Sequence, residues 1–241
     1  MKLAWIHART STLELIRYRS FSVPTLLFPS AAFLAFGRRI QASPNVVMAY
    51  YAAFAVMGVA FYQFGVGIAA ERVLPWSVLV RVLPVSAAER FAGRILSALA
   101  FALASASLLV VLALATVSVD LDARGWARFA AVIAFGSVPF ALFGIALGYW
   151  LTPRGALPVA NLLFLGLSYA GGLLSGAGGL PDSVAAVSSY LPTRLWGDLL
   201  VAAVEGRPWR VHDVAGLVVY AAAFAAAATL GYRRDEGERF R

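Results

Sequence analysis

The residues able to do chemistry in this chain are few and mostly in the wrong places for catalysis. Of 241 residues, none is cysteine and two are histidine, His7 and His212, both beside apolar runs rather than within them. With no thiol there is no disulfide framework, thiolate metal site or cysteine nucleophile. An intramembrane serine hydrolase needs a G-x-S-G serine with a histidine at the same depth, and GGLLSG at 171–176 has the wrong spacing. No His/Asp/Glu cluster lies inside any apolar run, so no metal site is assigned. Lys2 is the sole lysine, whereas a phosphate-cradling loop needs G-x-x-x-x-G-K-[ST]. No catalytic, metal or cofactor-binding residue is therefore assigned. If ATP is used, a second chain must supply the ATPase.

What remains is a set of uncharged polar groups at membrane depth: Gln63, Asn161, Ser168 and Tyr169. Proton-coupled carriers place Asp, Glu or His inside their spans, and these runs hold none. Amide and hydroxyl groups there serve as interhelical hydrogen-bond partners or line a substrate path. GIALG at 144–148 and GLLSG at 172–176 are small-xxx-small patterns that suit close helix packing, within a protomer or across a dimer.

The elements that must position these groups follow from composition. The chain is 61% hydrophobic and 13% charged, and a soluble domain of this length carries about twice that charged fraction. Uncharged apolar runs at 21–37, 46–70, 95–119, 129–151, 156–177 and 214–232 predict six transmembrane helices in an all-α polytopic membrane protein. Residues 1–20 alternate Trp5, Ile6, Leu13 and Ile16 with arginines, which predicts an interfacial amphipathic helix. Residues 179–210 are too charged for a full crossing and predict a broken helical hairpin dipping into one membrane face. The net charge of +8 sits in the loops between apolar runs, which reads as topology-setting charge and not as a nucleic-acid surface.

The stretch 71–90, ERVLPWSVLVRVLPVSAAER, decides the topology. Its eight Leu and Val residues would gain roughly 2.5–5 kcal/mol in a bilayer, and Arg81 alone would cost about 2.5–3.5 kcal/mol. Pro75 and Pro84 add lost hydrogen bonds. Without a seventh span the termini share a side, and that side holds 13 of the 20 Lys and Arg residues. The excess predicts that both termini and 71–90 are cytoplasmic. Between the prolines, Trp76, Leu79, Val80 and Leu83 make an apolar face, with Ser77 and Arg81 as a polar stripe.

In these features the chain resembles the permease subunits of ABC-2 type ATP-binding-cassette exporters. The residues that carry the likeness are Glu71-Arg72 with Pro84-Val85-Ser86 after the second span. Asn161, Ser175-Gly176, Leu180-Pro181 and Tyr190-Leu191-Pro192 follow in the family's order. Val73, Pro75, Val78 and Leu83 depart from the family's more polar pattern. The resemblance implies one transmembrane domain over 1–241, with an elbow helix at 1–20, a cytoplasmic coupling helix within 71–90 and extracellular re-entrant helices at 179–210.

It also implies two copies of the chain, as a homodimer or heterodimer, in the cytoplasmic (inner) membrane with two cytoplasmic ATPase subunits that hold ATP and Mg. Glu71, Arg72, Trp76, Val78, Arg81, Pro84, Glu89 and Arg90 would couple to the ATPase. Gln63, Asn161, Ser168, Tyr169, Ser175 and Gly176 would serve the substrate path or packing. The path would run between protomers, lined by the first, second and fifth spans, for an amphipathic or hydrophobic cargo such as a drug, lipid or peptide. The alternatives are a passive channel or secondary carrier with no ATPase, or a membrane scaffold.

Overall fold

The computed structural model describes residues 19–74 and 87–239, with the side chains of 19–22, 24, 87–97, 177 and 236–239 set aside. The predicted amphipathic helix at 1–20 and the loop residues Trp76, Val78, Arg81 and Pro84 therefore fall wholly or largely outside the described residues. Among the described residues the chain is helix and turn, with no strand.

Helix α1 spans Arg19–Phe36 and ends in a 3-10 turn at Gly37–Arg39. Helix α2 spans Pro44–Glu71 without interruption. Ser43 caps it, its hydroxyl accepting from the Val46 amide at 3.4 Å, and Pro44 takes a first-turn position where no N–H is needed. Midway, Ala60–Val66 winds as π-helix. Helix α3 covers Ala87–Thr116, α4 covers Ala123–Trp150 and α5 covers Pro153–Ala170. The side chains of Asp122 and Thr152 cap α4 and α5 by accepting from the Gly125 and Gly155 amides. Two short helices follow, α6 at Asp182–Ser188 and α7 at Pro192–Val204, and α8 runs Val211–Arg239.

Six long helices thus stand where the six apolar runs lie. Four of them, over Pro44–Glu71, Ala98–Thr116, Ala123–Trp150 and Val211–Asp235, are long and apolar enough to cross a membrane. The stretch 179–210 forms the short pair α6 and α7, broken at Ser189–Leu191 as its sequence predicts. Glu89 and Arg90, expected in the coupling loop, lie on the backbone of α3.

The core forms around α2. All 14 residues from Val46 to Val59 are buried. A helix apolar on every side has no face to offer water and takes the centre of a bundle. It packs on α1, α3, α4, α5 and α7, and α4 packs on α8 as well. Glycines set the α2–α4 approach: a Cβ at Gly144 would lie 2.2 Å from the Ala60 carbonyl oxygen, and one at Gly148 2.6 Å from Ile68 Cβ. GIALG is therefore a packing motif within one protomer.

GLLSG is not one. Helix α5 ends at Ala170, seven residues short of the run that predicted it. Gly172 and Gly176 take φ of 80° and 71°, left-handed backbone that glycine adopts freely, so GLLSG is a turn.

Candidate functional site

A cleft of about 520 Å³ lies between α1, α2, α5 and the turn after α5. Helix α1 contributes Phe28, Ala32 and Phe36 at four-residue spacing, which places all three on one face. Arg39 and Ile40 follow from the turn beyond it. Tyr51 and Phe54 come from α2, Leu165 and Tyr169 from α5, and Leu174, Ser175 and Gly179 from the segment that follows.

Aromatic packing holds the three helices in this arrangement. Phe28 meets Phe54 at 5.9 Å between centroids, and Phe33 meets Tyr51 edge-on at 5.6 Å. Phe54 stacks on Phe164 of α5 at 4.5 Å. Behind that layer the Tyr62 hydroxyl donates to Asn161 Oδ1 at 2.5 Å, tying α2 to α5. Ser168 is buried and donates to the Phe164 carbonyl one turn back.

The sequence-derived path residues thus divide. Tyr169 and Ser175 line the cleft. Gly176 closes its edge, since a Cβ there would stand 3.0 Å from Ile40 Cγ2. Asn161 and Ser168 hold helices, and Gln63 is buried in the π-helical stretch. Sequence reasoning missed Phe28, Phe36, Arg39, Tyr51 and Phe54. The i, i+4, i+8 spacing of Phe28, Ala32 and Phe36 was the available signal.

At the other end of α2, about 27 Å from Phe54 by helical rise, Arg72 joins three chain ends. One guanidinium nitrogen donates to Asp235 Oδ1 of α8 at 2.9 Å, and another to the Leu151 carbonyl at 2.7 Å. Both side chains are mostly buried. Trp150 Nε1 donates to the Ala227 carbonyl nearby, and Arg234 lies over the Trp150 ring. Arg72 is thus a clamp between the ends of α2, α4 and α8.

The cleft end of the bundle is fixed by α7. Trp196 is fully buried, donates to the Val132 carbonyl at 2.9 Å and stacks on Phe140; Gly136 leaves room for it. Thr193 and Ser188 donate to the Leu167 and Ala170 carbonyls at the end of α5. Arg128 donates to the Ala202 and Arg207 carbonyls. Burial pushes the Asp198 carboxyl above its usual range, opposed by Arg194, whose Nε donates to it at 2.9 Å.

No group of three metal-ligating side chains occurs among the described residues. The geometry offers an aromatic slot with a cation at its rim.

No protein-family model matches the chain. Over 214 residues it is 20% identical to a Bacillus subtilis (strain 168) protein described as "Putative transport permease YvfS", an alignment covering 86% of this chain and 87% of that one. This near full-length similarity is consistent with the likeness to ABC-2 type permeases. Together with the long apolar helices it points to a multi-pass membrane protein of the transport-permease type.

Proposed function

We propose that this chain is the transmembrane subunit of an ABC-2-like exporter, moving an amphipathic or hydrophobic cargo with energy from a separate ATPase. The observation that carries this is the cleft between the first, second and fifth long helices. It is a slot of ligand size, walled by aromatic and aliphatic side chains, with Tyr169 and Ser175 on its rim. The near full-length similarity to a protein described as a transport permease supports it.

In this reading α1, α2, α3, α4, α5 and α8 all cross the membrane and α6–α7 form the re-entrant pair. The Arg72 clamp supports the sidedness. It gathers the ends of α2, α4 and α8 at one face, the face to which charge counting assigns 13 of 20 cationic residues. That face is cytoplasmic and carries both termini. Two copies would assemble in the inner membrane, with the cleft toward the seam between them. ATP with Mg would bind only in the ATPase subunits, whose closure reaches the spans through 71–90.

The test is co-expression of the full chain with a candidate P-loop ATPase subunit, which the exporter reading expects to find encoded by a neighbouring gene. Stable co-elution in detergent is expected, with loss of association in the Val78→Glu/Arg81→Glu double variant. Unchanged association would refute coupling through that loop. Absence of any complex, with transport persisting without ATP, would favour a passive carrier.

A further inference from the structure

The cleft is chemically lopsided. Its lining includes Arg39 and two tyrosines but no Asp or Glu. Arg39 stacks its guanidinium on Phe36, 5.5 Å from the ring centroid, and makes no ion pair among the described residues. Stacking of this kind leaves the guanidinium edge, with its fork of N–H donors, directed away from the ring and open to an anion. A second donor lies in the wall: Tyr51 is wholly buried, and its hydroxyl has no hydrogen-bond partner among the described residues. A buried hydroxyl without a partner is uncommon and costs stability unless something accepts from it.

Donors without acceptors, around an aromatic slot, specify the complement. We propose that the cleft takes an amphiphile with an anionic headgroup, a carboxylate or phosphate on an apolar tail, with Arg39 holding the head. Phe28, Phe36 and Phe54 form the tail's wall. Tyr51 becomes a second donor to the head once the cleft widens to admit it. This rests on the cargo reading of the cleft and narrows the cargo from hydrophobic compounds at large to acidic ones. The same head-and-tail chemistry belongs to a free amphiphile and to an anionic bilayer lipid, so the test separates the two.

The full chain is placed in phosphatidylcholine nanodiscs, and binding of 11-dansylaminoundecanoate is compared with its methyl ester by fluorescence anisotropy. The acid should bind about tenfold more tightly than the ester, the loss that accompanies removal of one charge-assisted contact. Arg39→Gln should erase that preference and leave ester binding unchanged, while Arg124→Gln, outside the cleft, should change neither. Repetition in discs doped with phosphatidylglycerol identifies the source. A preference abolished by the lipid marks a bilayer lipid as occupant, and a preference that persists marks a free amphiphile; both keep the anionic assignment. Equal binding of acid and ester, or a preference surviving Arg39→Gln, overturns it while leaving the cleft as a neutral hydrophobic site. If neither probe binds, the cargo reading beneath it fails as well.

Discussion

Gly144→Ala tests the central packing contact of the fold. The added methyl would meet the Ala60 carbonyl oxygen at 2.2 Å and the Ala60 carbonyl carbon at 3.0 Å. The shorter approach falls about 1 Å short of ordinary van der Waals separation. The obstacle is backbone, so no side-chain rotation relieves it and α4 must move from α2. Overpacking of this kind costs about 1–3 kcal/mol, with a backbone clash at the upper end. Alanine's better helix propensity returns at most about 1 kcal/mol. A net loss near 2 kcal/mol corresponds to a Tm fall of roughly 4–8 °C for a chain of this size.

Gly166→Ala is the matched control, because a Cβ there meets nothing within 4 Å. It should leave the Tm unchanged or raise it slightly. The assay is thermal stability of the full chain in a neutral detergent, read by size-exclusion chromatography after heating. Gly148→Ala should behave like Gly144→Ala, since its methyl meets Ile68 Cβ at 2.6 Å and the Phe64 carbonyl at 2.8 Å. If Gly144→Ala proves as stable as Gly166→Ala, the α2–α4 contact does not depend on the missing side chain and the reasoning fails.

Three further outcomes follow from the geometry. Removing Asp235 as Asp235→Ala leaves Arg72 with its charge mostly buried and should destabilise by about 3 kcal/mol, the low end for a broken buried pair; a double-mutant cycle with Arg72→Ala should recover much of it, and strict additivity would contradict the clamp. Tyr62→Phe and Asn161→Ala should show coupling of only about 0.6 kcal/mol, the average for interhelical hydrogen bonds in membranes, and coupling above about 2 kcal/mol would assign that pair a larger role. The Asp198 carboxyl titrates above its ordinary range because burial disfavours its charge. Its protonated form therefore favours the fold below the ordinary value of 3.8, and that contribution is lost as pH rises through the raised folded value. Asp198→Asn should flatten this part of the stability–pH curve, and an unchanged curve would place the titration elsewhere.

The helices were legible in the sequence because apolar runs of this length have few other solutions. Each of the six runs became a long helix, and the charged stretch at 179–210 became two short ones. What was not legible depended on partners far along the chain. GIALG and GLLSG look alike as strings, yet one faces a carbonyl on α2 and the other lies beyond the end of its helix. Asn161 and Tyr169 are two polar residues on one helix; only the position of Tyr62 decides that the first is a tie and leaves the second on the cleft. Arg39 entered the sequence reading as topological charge alone, since nothing in its neighbours shows the aromatic slot assembled from three helices. Arg72 and Asp235 are 163 residues apart, so no local pattern could join them.

The π-helical stretch of α2 acts as a phase setting. Ala60–Val66 turns less per residue than ordinary α-helix, and so fixes how far the helix has rotated between its two ends. Upstream, Tyr51 and Phe54 must face the slot beside α1; downstream, Arg72 must arrive pointing at Asp235 and the Leu151 carbonyl. Winding the same seven residues as ordinary α-helix would turn everything beyond them by about 100°, swinging Arg72 away from both partners. The angle between the slot and the clamp is therefore written in the winding of its middle.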